Sequence, residues 1–136
     1  MNKEIQIQTY EQAREVENKI ITGGFATYDL IQWVCTEVME ETFLTTLLGV
    51  QSSQIKRWRK GKVTNPRKAT VKKIQTVAAI LLYLRGCYTT PEAVYKWFFR
   101  AHPLLGDCCP VDLLDEPINQ KKLIIVAESL LDTSAT

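Results

Sequence analysis

Apolar side chains recur at helical spacing along most of this chain, and the strict alternation that marks a half-buried strand appears nowhere over a useful length. Residues 9–21 place Tyr10, Ala13, Val16 and Ile20 on one helical face, which Gly23 and Gly24 bring to an end. A second helix is expected over 28–38, with Ile31, Val34, Cys35 and Val38 in register, and a third over 40–48. Gly49 follows as a turn, and Ile55 and Trp58 form the inward pair of a fourth, short helix. Gly61, Asn65 and Pro66 end it.

The next helix, over 69–85, carries Val71, Ile74, Ala78 and Leu81 on a stripe, with Lys72 and Lys73 opposite. Its second half is apolar nearly all round, so it must be covered on several sides, by the rest of the chain or by a second subunit. Thr90-Pro91 is a start signal, a capping hydroxyl before a proline at the first helical position. That helix runs through Ala93, Val94, Trp97, Phe98 and Phe99 to Arg100. His102 to Gly106 makes a turn, Pro110 to Leu114 a short helical turn, and 119–131 a last helix with Leu123, Val126, Ala127 and Leu130 inward. The predicted class is all-α: an N-terminal helical arm over 1–25, a helix-turn-helix domain over 26–88, and a small helical domain over 89–136.

Charge sharpens the picture. The net formal charge of +2 resolves by segment into −5 over 1–41, +10 over 42–91 and −3 over 92–136. Between Thr42 and Pro91 stand ten Lys or Arg and no Asp or Glu. Ammonium and guanidinium groups gathered on one surface displace counterions from a phosphate backbone, which points to double-stranded DNA as a partner. The longest apolar run, 77–84, is far too short to span a bilayer, and no apolar leader with a basic flank opens the chain. No membrane role is expected, and the expected location is the cytoplasm. Cys35, Cys87, Cys108 and Cys109 fit no paired zinc pattern, and in a reducing compartment read as small buried hydrophobes. Catalysis needs a nucleophile with a base or a metal site, and His102 is the only imidazole, set beside Pro103 in what reads as a structural turn. Neither an enzyme nor a bound metal or cofactor is therefore expected.

In a helix-turn-helix a glycine in the turn reverses the chain with positive φ, and apolar residues lock the two helices together. Gly49 with Leu44, Leu48, Val50, Ile55 and Trp58 fits that pattern. At 100° per residue the inward pair turns Ser53, Lys56, Arg57 and Lys60 outward, with Gln54 on the flank. Gln51 stands where a Ser or Thr cap is usual, and Ser52 is positioned to cap one residue later. The expected DNA contacts are Ser53, Lys56 and Arg57 at or near the bases, Arg59, Lys60, Lys62, Arg67 and Lys68 along the phosphates, and Gln51, Ser52 and Gln54 beside them at the start of the helix.

Downstream, Ala93-x-x-x-Trp97, Pro103-Leu104-Leu105-Gly106, Pro110-x-Asp112-Leu113-Leu114 and an amphipathic helix follow in order. Together with the basic helix-turn-helix, this order resembles the Xre/MbcA/ParS antitoxin family over roughly residues 28–131. The resemblance implies a homodimer whose N-terminal domain binds its own promoter and whose C-terminal domain covers the active site of a cognate toxin, commonly a RES-type enzyme that consumes NAD. It also implies partner contacts from Trp97, Leu104, Leu105, Asp112 and Leu113, on a surface made negative by Asp107, Asp112, Asp115 and Glu116. The alternative is a helix-turn-helix regulator without a toxin, its C-terminal domain serving dimerisation or ligand sensing. For Trp97, and likewise for Leu104, Leu105, Leu113 and Leu114, a core position is the simpler expectation.

Overall fold

The chain folds into helices, as the periodicities predict. A computed structural model describes residues 10–38, 40–62, 66–88 and 90–134, the last four of these as backbone only. Helices α1 (Tyr10–Ile21), α2 (Thr27–Glu37), α3 (Glu41–Leu48), α4 (Ser52–Arg59) and α5 (Lys68–Cys87) are followed by α6 (Pro91–Phe98), a 3₁₀ turn (Pro103–Leu105), α7 (Pro110–Leu113) and α8 (Pro117–Ser134). No strand occurs among the described residues; His102 and Cys108 make one isolated antiparallel bridge. The expected helix start at Thr9, the loop residue Asn65 and the side chain of Leu131 lie outside the described residues.

Helix α5 organises the rest. At 20 residues it is about 30 Å long, and every residue from Ile74 to Leu84 is buried. Helices α8, α2 and α1 pack along it, with α3 and α6 touching it as well, so its all-round apolarity is satisfied within the chain. Ala13 and Ile20 of α1 are fully buried in the same apolar cluster as Leu30, Leu44 and Trp58 from the middle of the chain and Leu123 and Ala127 of α8. Polar ties reinforce α1. The Tyr10 hydroxyl donates to the Glu128 carboxylate at 2.5 Å, and the buried Tyr83 hydroxyl of α5 donates to Glu17. Burial, then the hydrogen bond to Glu17, push the Tyr83 hydroxyl well above the usual tyrosine range.

The helix that follows Thr90 begins as its sequence requires. The Thr90 hydroxyl accepts from the Ala93 N–H at 3.3 Å, with Pro91 in the first turn. It stops at Phe98 rather than Arg100, because the Phe99 N–H turns to the Lys96 carbonyl and tightens the last turn. Phe43 of α3 packs against Tyr95, Phe98 and Phe99, with centroids 4.4, 6.0 and 5.1 Å away. The last helix starts at Pro117, two residues ahead of the expected Asn119, since proline fits the first helical position and the Glu116 carbonyl already accepts from the N–H groups of Asn119 and Gln120. The cysteines are less uniformly buried than expected. Cys35 is buried, Cys87 and Cys109 are half-buried, and Cys108 stands exposed because the bridged turn directs it to solvent.

Candidate nucleic-acid interface

Gly49 caps α3 in the left-handed region, φ 65° and ψ 31°, and its N–H bonds the Thr45 carbonyl at 2.9 Å. A Cβ there would also lie 3.2 Å from the Lys73 ammonium. The left-handed backbone is what requires glycine here, since the end of a lysine side chain can give by the few tenths of an ångström that a Cβ would ask of it. Beyond it α4 buries Ile55 and Trp58, 0% and 1% exposed, against α2 and α3. Burying that pair leaves Ser53, Lys56, Arg57 and Lys60 in solvent, as the spacing predicts, with Gln54 half-buried on the flank. Arg57 donates to the Gln54 carboxamide oxygen at 2.6 Å, which orders both side chains along the outer face.

The N-terminus of α4 departs from expectation. Gln51 is the cap residue, its side chain makes no capping bond, and Ser52 is already helical. The Ser52 hydroxyl instead donates to the Glu41 carboxylate at the start of α3, a partner reachable only after the two helices have docked. Arg59 is likewise exposed but not wholly outward. Its guanidinium donates to the Val38 carbonyl at 3.2 Å, satisfying the C-terminal end of α2. It therefore helps to position α4 while staying at the surface. Gln32 adds a second clamp by donating to the Trp58 carbonyl. Neither clamp announces itself in the sequence, since each joins residues more than twenty positions apart.

Gly61, φ 82°, ends the helix, and the Lys62 N–H closes on the Arg57 carbonyl at 3.0 Å. Tyr28, 44% exposed, approaches here: its hydroxyl lies 3.3 Å from where a Gly61 Cβ would stand. This aromatic hydroxyl at the basic end of α4 was not among the expected site residues. An open cleft separates α4 from the start of α5. Gln51, Ser53, Gln54 and Arg57 line one wall, and Pro66, Arg67 and Thr70 the other. Lys60, Lys62 and Lys68 are exposed, as is Arg67 on the cleft wall. The first-turn N–H groups of α5 open onto the same side from Arg67, whose side chain makes no capping bond. Lys73 belongs to a different environment, being paired with Asp115.

The five expected partner residues separate into two groups. Trp97 and Leu105 are 2% and 4% exposed and are packing residues of the α6 end of the core. The Trp97 ring lies 5.0 Å from that of His102, whose Nε2 is 3.2 Å from the Trp97 carbonyl, so the imidazole closes the bridged turn. Leu104, 66% exposed, remains on the surface with Asp112 and the half-buried Leu113. Asp107, Asp112, Asp115 and Glu116 are all exposed, with Asp115 paired to Lys73 and Glu116 accepting from the Asn119 carboxamide. The burial of Trp97, Leu105 and Leu114 agrees with their core expectation; Leu104, also expected inside, faces out, because the 3₁₀ turn that buries Leu105 points its neighbour to solvent.

The chain matches no protein-family model, and comparison with curated proteins and with solved structures returns no match. Among the described residues no helix is long and apolar enough to cross a membrane.

Proposed function

We propose that this chain is a sequence-specific DNA-binding antitoxin that represses its own promoter and neutralises a cognate toxin, of the RES-type, NAD-consuming kind by resemblance. The observation that carries the DNA reading is the exposed basic face of α4, held against α2 and α3 behind a left-handed glycine turn. In this reading Ser53, Lys56 and Arg57 reach base edges, while Lys60, Lys62, Arg67 and Lys68 follow the phosphates. The amino end of α5 adds N–H groups and the positive end of its dipole to the phosphate side. A homodimer would set two α4 helices ~34 Å apart on an inverted repeat.

Mobility shift on the chain's own upstream DNA tests this. Arg57→Ala should cost on the order of 1–3 kcal/mol in affinity and relax preference at one base position, whereas Lys68→Ala should weaken all sequences alike. If Arg57→Ala leaves affinity and preference unchanged, Arg57 is not a reader. The second reading, a regulator without a toxin, draws support from the burial of Trp97 and Leu105, which narrows the partner surface to Leu104, Asp112 and Leu113. Co-expression with the neighbouring gene product separates the two: rescue of growth supports neutralisation, and failure to rescue rejects it.

A further inference from the structure

On the side of α5 away from α4, the carboxyl end of α1 and the amino end of α8 leave a cleft of about 480 Å³ over the first half of α5. Ile21, Pro117, Ile124 and Ile125 make its walls, and Gln75 and Thr76 of α5 lie between them. The size falls within the ~300–1,000 Å³ typical of small-molecule sites, and the lining shares their mostly apolar character. Two features make it more than a gap between helices. Gln75 is only 9% exposed, and its carboxamide oxygen is buried with no hydrogen-bond partner, a costly state for a polar atom. Lys72 and Lys121, both exposed, also line the cleft. The one carboxylate there, Glu17, already accepts the Tyr83 hydroxyl.

From these observations we infer that the α1–α5–α8 cleft binds a small amphipathic acid, with its apolar body between Ile21, Ile124 and Ile125, its carboxylate toward Lys72 and Lys121, and a hydroxyl donating to Gln75. The charges select this occupant. Two cations against one engaged carboxylate favour an anion, and a second copy docked across a two-fold axis would bring like-charged lysines together. The buried acceptor adds a requirement for a hydrogen-bond donor that a plain hydrocarbon acid does not meet. This site does not depend on the DNA reading, and its test uses no nucleic acid.

Calorimetric titration of the full chain with 3-hydroxydecanoate, decanoate and decylamine provides the test. Saturable binding at one site per chain is expected for the hydroxy acid, with decanoate weaker and decylamine weaker by roughly tenfold or more, or about 1.4 kcal/mol. The double variant Lys72→Met, Lys121→Met alters only exposed side chains and should lose roughly tenfold in affinity for the acids. Gln75→Leu should abolish the preference for the hydroxy acid over decanoate. Ile118→Ser, on the exposed side of α8 outside the cleft, should bind as the parent does. Equal binding of decylamine, undiminished binding by the lysine variant, or no saturable binding overturns the inference. If, in that last case, the chain sediments as a dimer that Ile125→Asp dissociates, the face belongs to a second copy.

Discussion

Gly49 shows how much one residue can decide. Its left-handed backbone sets the angle at which α4 leaves α3, and only the Lys73 ammonium stands within 4 Å of where a Cβ would be. Gly49→Ala should therefore cost about 1–2 kcal/mol from the backbone term, as read by urea unfolding, with Lys73 giving way by a few tenths of an ångström. At Gly106, φ 63°, nothing stands within 4 Å of a Cβ position, so Gly106→Ala should show the backbone term alone. Tyr83 makes a pH prediction. Its raised pKa means that both folded and unfolded chains hold the phenolic proton below the ordinary value of 10.0, so this group contributes no pH dependence there. Above that value the unfolded state releases the proton while the folded state retains it, and stability must fall as pH rises. Tyr83→Phe should remove this alkaline slope, while near neutrality it loses about 1.5–3 kcal/mol with the bond to Glu17. Gly49 was readable from its place between two apolar segments. The roles of Arg59 and Ser52 were not, because their partners, the Val38 carbonyl and the Glu41 carboxylate, come near only through tertiary packing.

Among the elements, α5 was the most legible and the most consequential. A run that is apolar on every side announces burial on every side, and its neighbours α1, α2 and α8 are the helices whose own stripes the sequence also revealed. The sequence left open whether the cover came from this chain or from a second subunit. That question turns on how helices distant in sequence meet, which periodicity does not encode. Ile80, fully buried near the middle of α5, is the natural probe. Ile80→Ala should destabilise the chain by about 2–5 kcal/mol, measured by thermal or urea unfolding, with the spread set by how far the surrounding helices collapse into the void. Helix ends were less legible than helix cores. The early start of α8 and the early stop of α6 rest on hydrogen bonds of one or two backbone groups, below what apolar spacing resolves.

For the molecule as a whole, a single apolar cluster draws on α1, on α2 to α5 and on α8. Calorimetry should accordingly record one cooperative unfolding transition, with calorimetric and van't Hoff enthalpies in agreement. Two resolved transitions would mean that the basic segment and the last helices are stable separately. Removal of residues 1–25 should lower the transition temperature, since it uncovers the side of α5 and α8 that Ala13 and Ile20 seal. The charge division into −5, +10 and −3 was visible in the chain at once, but its arrangement in space was not. Lys73 leaves the cationic surface to meet Asp115, and Glu41 reaches into it through Ser52.

Trp33, Trp58 and Trp97 are 3%, 1% and 2% exposed. All three indoles therefore emit from within the protein, and that of Trp58, on the inward face of α4, borders the cleft beside α5. Intrinsic fluorescence is thus a built-in gauge of structural integrity. A wavelength change on adding DNA or a second protein would report a rearranged interior or a ligand seated in that cleft, not contact elsewhere on the surface.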